Sequence, residues 1–441
     1  MAWKWDRVLH DRDGWSSSLG RQFERLNDGS IAIRIATSDE QAYANDVYAE
    51  HAEDFVLRSV DSGLTWERYE GPVLEDRQTR LSNGTLVKIY SGGGVSLEEK
   101  KKLLADVGAN PEMVGYEGND LWPESKHAEL ERDGCYVEKT FPGIVGTLTS
   151  LSCSRSFDEG RTYEHRRIDS LPHLARVYGS FRRCIELQDG TLLAACVGRR
   201  HPEDVEFSFA LRSVDKGATW EFHPIAEDPN SRHGLNETEI LELPDGRIIA
   251  MMRCHDAGES VGNYLYQSVS GDGGISWSPF QQTPIWGYPA QLILLKSGNI
   301  LCTYAHRRHP FGSRACLSYD LGQSWDYENE KIIRDDSLPG SVGYPTSIQL
   351  EDETILTGHS QSKIPRIPYH EDDQTNPNDD LLIHKRVRVG KRQEWHGGYH
   401  GHAAVSRYTE DYVRAPGQVT NRTMFDVDQT MPSAGNERHD P

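Results

Sequence analysis

Apolar positions along this chain come in short runs rather than in long helical stripes. Ile31-Ala-Ile-Arg-Ile35 and Phe55-Val-Leu-Arg58 are typical, each of strand length and bounded by turn residues. Turns of one kind punctuate the runs: Asn27-Asp28-Gly29, Ser82-Asn83-Gly84, Gln188-Asp189-Gly190, Pro244-Asp245-Gly246, Lys296-Ser297-Gly298 and Glu351-Asp352-Glu353. An inner strand, such a turn and a returning strand make a hairpin. The turns recur at steps of roughly 51 to 56 residues, with one step of about 106 between the second and third. A regular period with a single insertion predicts an all-β fold, a six-bladed β-propeller of four-stranded antiparallel blades over residues 1–410, with 411–441 as a peripheral tail. Residues 1–14 are expected to add an outer strand to the last blade. The insertion, residues 96–143, sits in blade two and is partly helical: Ser96-Leu-Glu-Glu99 has the spacing of a capped helix start. Such an excursion from a regular scaffold is expected to cover a site or to make a subunit contact in a homo-oligomer.

A second repeat has the form Ser-x-Asp-x-Gly-x-(Ser/Thr)-aromatic. It reads Ser59 to Trp66, Ser156 to Tyr163, Ser213 to Trp220, Ser270 to Trp277 and Ser318 to Trp325. The Asp accepts backbone N–H bonds inside a tight turn, the Gly supplies a positive φ, and the ring packs under the hairpin. The motif is structural. It resembles the Asp-box hairpins of the sialidase superfamily, whose members are β-propellers. Each of the first five intervals holds one box, and the last blade has none.

Fixed offsets from the turns bring out chemistry-bearing residues. Eight residues before Asp245 and Asp352 stand Glu237 and Tyr344. The hairpin over Pro244–Arg247 sets residue 238 opposite Arg253, which makes Glu237 and Arg253 neighbours on adjoining strands. Glu239 shares the face of Glu237 and reads as a paired wall residue. Both stretches are similar to the sialidase strands that carry a Glu followed by an Arg, and a nucleophilic Tyr. The resemblance implies Tyr344 as nucleophile, because a neutral Tyr avoids repulsion from a sugar carboxylate, and Glu237 as the base that takes its proton. It implies an arginine clamp for that carboxylate, carried here by Arg253, Arg314 and Arg21. Arg21 stands in Gly20-Arg21-Gln-Phe-Glu, where the family usually has Arg-Ile-Pro. Asp46 is the candidate general acid by its distance from Arg21, with Asp54 second.

A basic crown follows the returning strands: Arg199-Arg200-His201, Arg253-Cys-His255, His306-Arg307-Arg308-His309 and His359. Of these, Arg199, His201, His255 and His309 join the arginines as candidate substrate-binding residues. In a chain with 48 basic and 68 acidic residues and a net charge of −20, a local excess of Arg and His points to an anionic ligand. The expected activity is retaining exo-glycoside hydrolysis of a terminal sialic acid or related acidic sugar, without metal or cofactor. A lyase acting on uronate glycans through His and Tyr, and a non-catalytic glycan-binding propeller, are the alternatives.

The overall negative charge argues against nucleic acid or an anionic membrane as partner. No apolar run has the length of a signal peptide or a membrane span, so a soluble, cytoplasmic protein is expected. Seven cysteines without Cys-x-x-Cys spacing fit reduced thiols, with Cys184 and Cys196 as core residues of one hairpin.

Overall fold

The computed structural model describes residues 2–10, 15–39, 52–109, 111, 118–257, 262–308, 310–335, 337, 343–363, 387–389, 392–394 and 400–416. Among them the fold is all-β, with six antiparallel sheets of four or five strands. By packing, the chain divides into two compact units, Met1–Val73 with Pro284–Pro441, and Leu74–Thr283.

The unit formed by Leu74–Thr283 holds three of the sheets. Sheet 2 comprises Thr79–Arg80, Leu86–Ser91, Leu151–Ser156 and Glu164–Arg167; sheet 3 is built on Leu192–Arg199 and Phe207–Ser213; sheet 4 on His233–Glu242, Ile248–Asp256 and Gly262–Ser270. Its core lies between neighbouring sheets. Ile89, Leu151, Leu192, Phe209 and Trp220 fill the space between sheets 2 and 3, and Leu193, Ala210, Leu235, Ile248 and Met252 that between sheets 3 and 4. The other unit contains sheet 1 (Trp15–Leu19, Ile31–Asp39, Ala52–Ser59), sheet 5 (Ala290–Leu294, Ile300–His306, Gly312–Ser318, Lys331–Arg334) and sheet 6 (Gly343–Gln349, Ile355–Lys363, His400–Tyr408). Lys4–His10 pairs with His400–Tyr408 as the outer strand of sheet 6, the place expected for the N-terminal segment. Where the expected tail begins, Glu410–Arg414 forms a short helix capped by Thr409, with Val413 buried against sheet 5 residues such as Leu301 and Leu317.

One turn geometry recurs in all six sheets. In each, a Leu N–H donates to the carbonyl four residues on, as in Leu26 to Ser30 and Leu243 to Arg247, and the Leu carbonyl accepts the N–H of the third residue along. That third residue is left-handed: Gly29, Gly84, Gly190, Gly246 and Gly298 have φ between 81° and 88°, and Glu353 takes the same role at 65°. The Asp hydrogen bonds of the boxes recur in the same way. In Ser270–Trp277 the Asp272 carboxylate accepts from Ser270 Oγ at 2.9 Å, Ser276 N at 2.9 Å and Ser276 Oγ at 2.5 Å, while Trp277 Nε1 donates to Gly274 O at 3.1 Å. The residue before the box glycine is left-handed as well, at Ser62, Glu159, Lys216, Gly273 and Leu321.

The insertion contains a helix, Leu97–Asp106, whose Ser96 and Glu99 form a reciprocal capping box, and a three-stranded sheet of Asp120–Pro123, Ile144–Thr147 and Val137–Phe141. Leu104, Leu121 and Ile144 form its own small core. All seven cysteines are free, and Cys184 and Cys196 lie together in the core between sheets 2 and 3. No helix among the described residues is long and apolar enough to cross a membrane.

The box hydrogen bonds set a pH dependence. Bonds from the Ser276 side chain and backbone hold the Asp272 carboxyl at about 2, below its ordinary 3.8. A depressed carboxyl stabilises the fold above its unfolded value and loses that contribution as pH falls through the folded one. The melting temperature of the wild type should therefore drop between roughly pH 4 and 2. Asp272→Asn should melt lower at pH 7 and show a shallower acid limb; parallel limbs in the two proteins would contradict this account.

Candidate functional site

Two strands depart from regular pairing in the same way. In sheet 4, Asn236 pairs with Arg253 and Glu239 with Met251, leaving Glu237 and Thr238 to face one residue. In sheet 6, Gly343 pairs with Ser360 and Thr346 with Gly358, so Tyr344 and Pro345 form the equivalent bulge. The bulged residues are left-handed, Glu237 with φ 44° and Tyr344 with φ 48°. Most other left-handed residues that are not glycine lie in the Asp-box and hairpin turns, where the turn requires the conformation. Here the side chain is a carboxylate or a phenol inside a strand, and bulges of this kind re-aim a side chain. The expected opposition of residue 238 and Arg253 shifts by two: the turn accounts for one residue and the bulge for the other.

Around Glu237 the arginines are paired with carboxylates. Arg253 Nη1 donates to Glu237 Oε2 at 3.1 Å, and both side chains are mostly buried, at 14% and 11% exposure. Arg182 faces Glu239 at 3.2 Å, Arg199 faces Glu206 at 3.6 Å, and Arg176 faces Glu138 of the insertion at 2.8 Å. The insertion thus reaches sheet 3, where the Tyr136 ring lies 4.5 Å from the Arg176 guanidinium and 5.8 Å from that of Arg199. Glu206 also accepts from Asn236 Nδ2 at 2.5 Å and lies 3.5 Å from His255 Nε2. Burial on its own raises the Glu206 carboxyl, but bonds from His255 and Asn236 and the charges of His255 and Arg199 override it and hold the group at about 2. The His255 ring lies over Gly234, where an added Cβ would sit 2.3 Å from it. His201 is exposed, its backbone N–H donating to Asp204 Oδ2. The cationic excess expected of the crown is matched, at Arg199 and Arg253, by buried carboxylates.

In the other unit, the Arg21 guanidinium lies 4.0 Å from the centre of the Tyr344 ring. Arg307 and Arg308 are held the same way over Tyr288 and Trp286, at 4.9 and 3.8 Å. Arg314 lies in a more deeply buried pair than Arg253. Its side chain is 4% exposed and donates to Glu330, itself 3% exposed, which also accepts the Tyr304 hydroxyl. This buried ion pair gives Arg314 a role in the fold, because a charge taken from water needs a partner of opposite sign. His359 is also a core residue, its ring nitrogens bonded to Ser313 and Ser406 hydroxyls, and burial holds its pKa well below the usual value. Asp46 and His309 lie outside the described residues; Asp54 is exposed. Residues that sequence reasoning missed are Arg182, Glu206, Tyr136 and Glu138, whose partners are distant in sequence.

Turns and boxes define an Asp-box protein of antiparallel sheets. Residues 139–357 match the BNR repeat-like domain family, consistent with the resemblance of the five boxes to the Asp-box hairpins of the sialidase superfamily. No curated protein matches the sequence. Among solved structures, a protein of unknown function from Dyadobacter fermentans is 17% identical with a TM-score of 0.62, over 92% of this chain and 97% of that one, a likeness of fold. A Hadza microbial sialidase is 16% identical with a TM-score of 0.47, over 78% of this chain and 63% of that one. An α-L-arabinanase from Penicillium chrysogenum is 13% identical with a TM-score of 0.48, over 81% and 94%.

If Arg314 is structural, removing it strands the Glu330 charge. Arg314→Met should cost about 3–5 kcal/mol in denaturant unfolding. The double variant Arg314→Met with Glu330→Leu should recover much of that loss. An Arg314→Met protein of unchanged stability would instead return Arg314 to the candidate ligand contacts.

Proposed function

We propose that the protein is a glycoside hydrolase on a six-bladed propeller, one blade to each sheet, which removes a terminal acidic sugar with Tyr344 as nucleophile and Glu237 as the base that activates it. The observation that supports this most is the shared left-handed bulge, which sets apart from regular strand geometry the two residues that the sialidase-like division of labour requires. Strain of this kind costs on the order of 1–3 kcal/mol per residue and gathers at functional positions. Arg21, stacked on Tyr344, and Arg253, paired with Glu237, are the arginines of this reading that meet the sugar carboxylate. A neutral Tyr suits an anionic substrate, and the ion pair with Arg253 holds the Glu237 carboxylate in place.

A second reading follows from the Arg–Glu pairing around Glu237. Four arginines matched by four carboxylates leave little excess positive charge there, and a neutral terminal sugar handled by carboxylates suits that balance. Release of nitrophenolate from a 4-nitrophenyl α-sialoside, a 4-nitrophenyl uronide and neutral 4-nitrophenyl glycosides separates the two. A uronate polymer assayed for unsaturated product reports on a lyase.

On an acidic fluorosugar, the wild type should accumulate a covalent adduct on Tyr344, seen by mass spectrometry of the intact protein and of its peptides. Tyr344→Phe should show none, and Glu237→Gln should lower kcat by about 10²–10⁴-fold, the range for loss of a general base. An adduct on a carboxylate instead, or turnover of neutral glycosides alone, would sink the Tyr mechanism and favour the neutral-sugar reading.

A further inference from the structure

The Glu237 bulge is clasped from the neighbouring sheet. Glu206, in the loop entering Phe207–Ser213 of sheet 3, accepts the Leu235 N–H on its backbone carbonyl at 2.9 Å and the Asn236 amide on its carboxylate at 2.5 Å. Two residues further on, Ser208 Oγ donates to Leu235 O at 3.1 Å and bonds Thr238 Oγ1 at 2.5 Å. Residues 235, 236 and 238 are therefore tethered to sheet 3 on either side of Glu237, which is left-handed and pairs its carboxylate with Arg253. An amide acceptor at position 206 would hold Asn236 at lower desolvation cost than a buried carboxylate. The carboxylate is retained beside Arg199 and His255, which ties the bulge to the arginine pair touched by the insertion.

We infer that Glu206 is a positioning residue for Glu237: through Asn236 and the Leu235 amide it fixes the bulge that aims Glu237. The inference rests on the reading of Glu237 as a catalytic residue. It makes reach, not charge, the property that matters at position 206. Glu206→Asp keeps the charge and withdraws the carboxylate from Asn236 by one methylene. Glu206→Gln keeps the reach and an acceptor oxygen while losing the charge.

Both variants are conservative, and their kinetics on 4-nitrophenyl α-sialoside and their crystal structures are the test. Glu206→Asp should lose about 100-fold in kcat with little change in KM, the scale of effect of a misplacement near 1 Å. Glu206→Gln should stay within about tenfold of the wild type. Equal kcat for the two variants, or a Gln variant worse than the Asp variant, overturns the inference while leaving the hydrolase reading intact. A wild type inert on the sialoside overturns the acidic-sugar reading instead, and the Glu206→Asp crystal structure then decides: Glu237 still left-handed and still paired with Arg253 overturns the positioning role, and a relaxed bulge supports it.

Discussion

Register in every sheet hangs on one hydrogen-bonded turn, the Leu N–H to the carbonyl four residues on, closed by a residue at positive φ. Strand side chains alternate between faces, so a one-residue slip in that turn would turn each core strand inside out. Five of the six closing positions are glycine, the residue that adopts φ near 85° without a Cβ penalty. The Asp-boxes act at the same end of the sheet, at the close of the next strand, where Ser59 pairs with Ile31, Ser213 with Leu192 and Ser270 with Ile248. There a single carboxylate accepts backbone and hydroxyl donors from within the box, which is why the Asp hydrogen bonds recur although the residues between the fixed positions vary.

With register fixed at the turn, regular pairing would place Glu237 opposite Arg253. The bulge breaks that geometry by one residue and swings the Glu237 side chain out of the alternation. The same device eight residues before Asp352 treats Tyr344 identically. Two bulges that share turn offset, two-against-one pairing and sign of φ are one structural solution used twice. The cost is met locally, at Glu237 by the Glu206 and Ser208 tethers.

What the sequence made legible follows the range of the interactions. Turns, boxes and the Ser96 capping box are local, complete within about eight residues, and readable from residue type alone. Glu237 and Tyr344 were visible as offsets from those turns. The bulges were not, because neither position carries the glycine that normally announces a positive φ. Partner choice was hidden as well. Arg314 reads like any exposed arginine until Glu330 and Tyr304 are seen beside it, and the crown reads as cationic until Glu206 and Glu237 are seen beside Arg199 and Arg253. A charge count along the chain cannot tell a free guanidinium from a paired one.

The pairing constrains what chemistry this scaffold can perform. An arginine in a buried pair is already oriented, so it can meet a ligand without first losing side-chain freedom. Its partner carboxylate, however, lowers its attraction for a second anion. Around Glu237 this trades affinity for precision: the guanidiniums are fixed donors more than a sink of positive charge. Arg21 is held over the Tyr344 ring, and a ring quadrupole neutralises no charge.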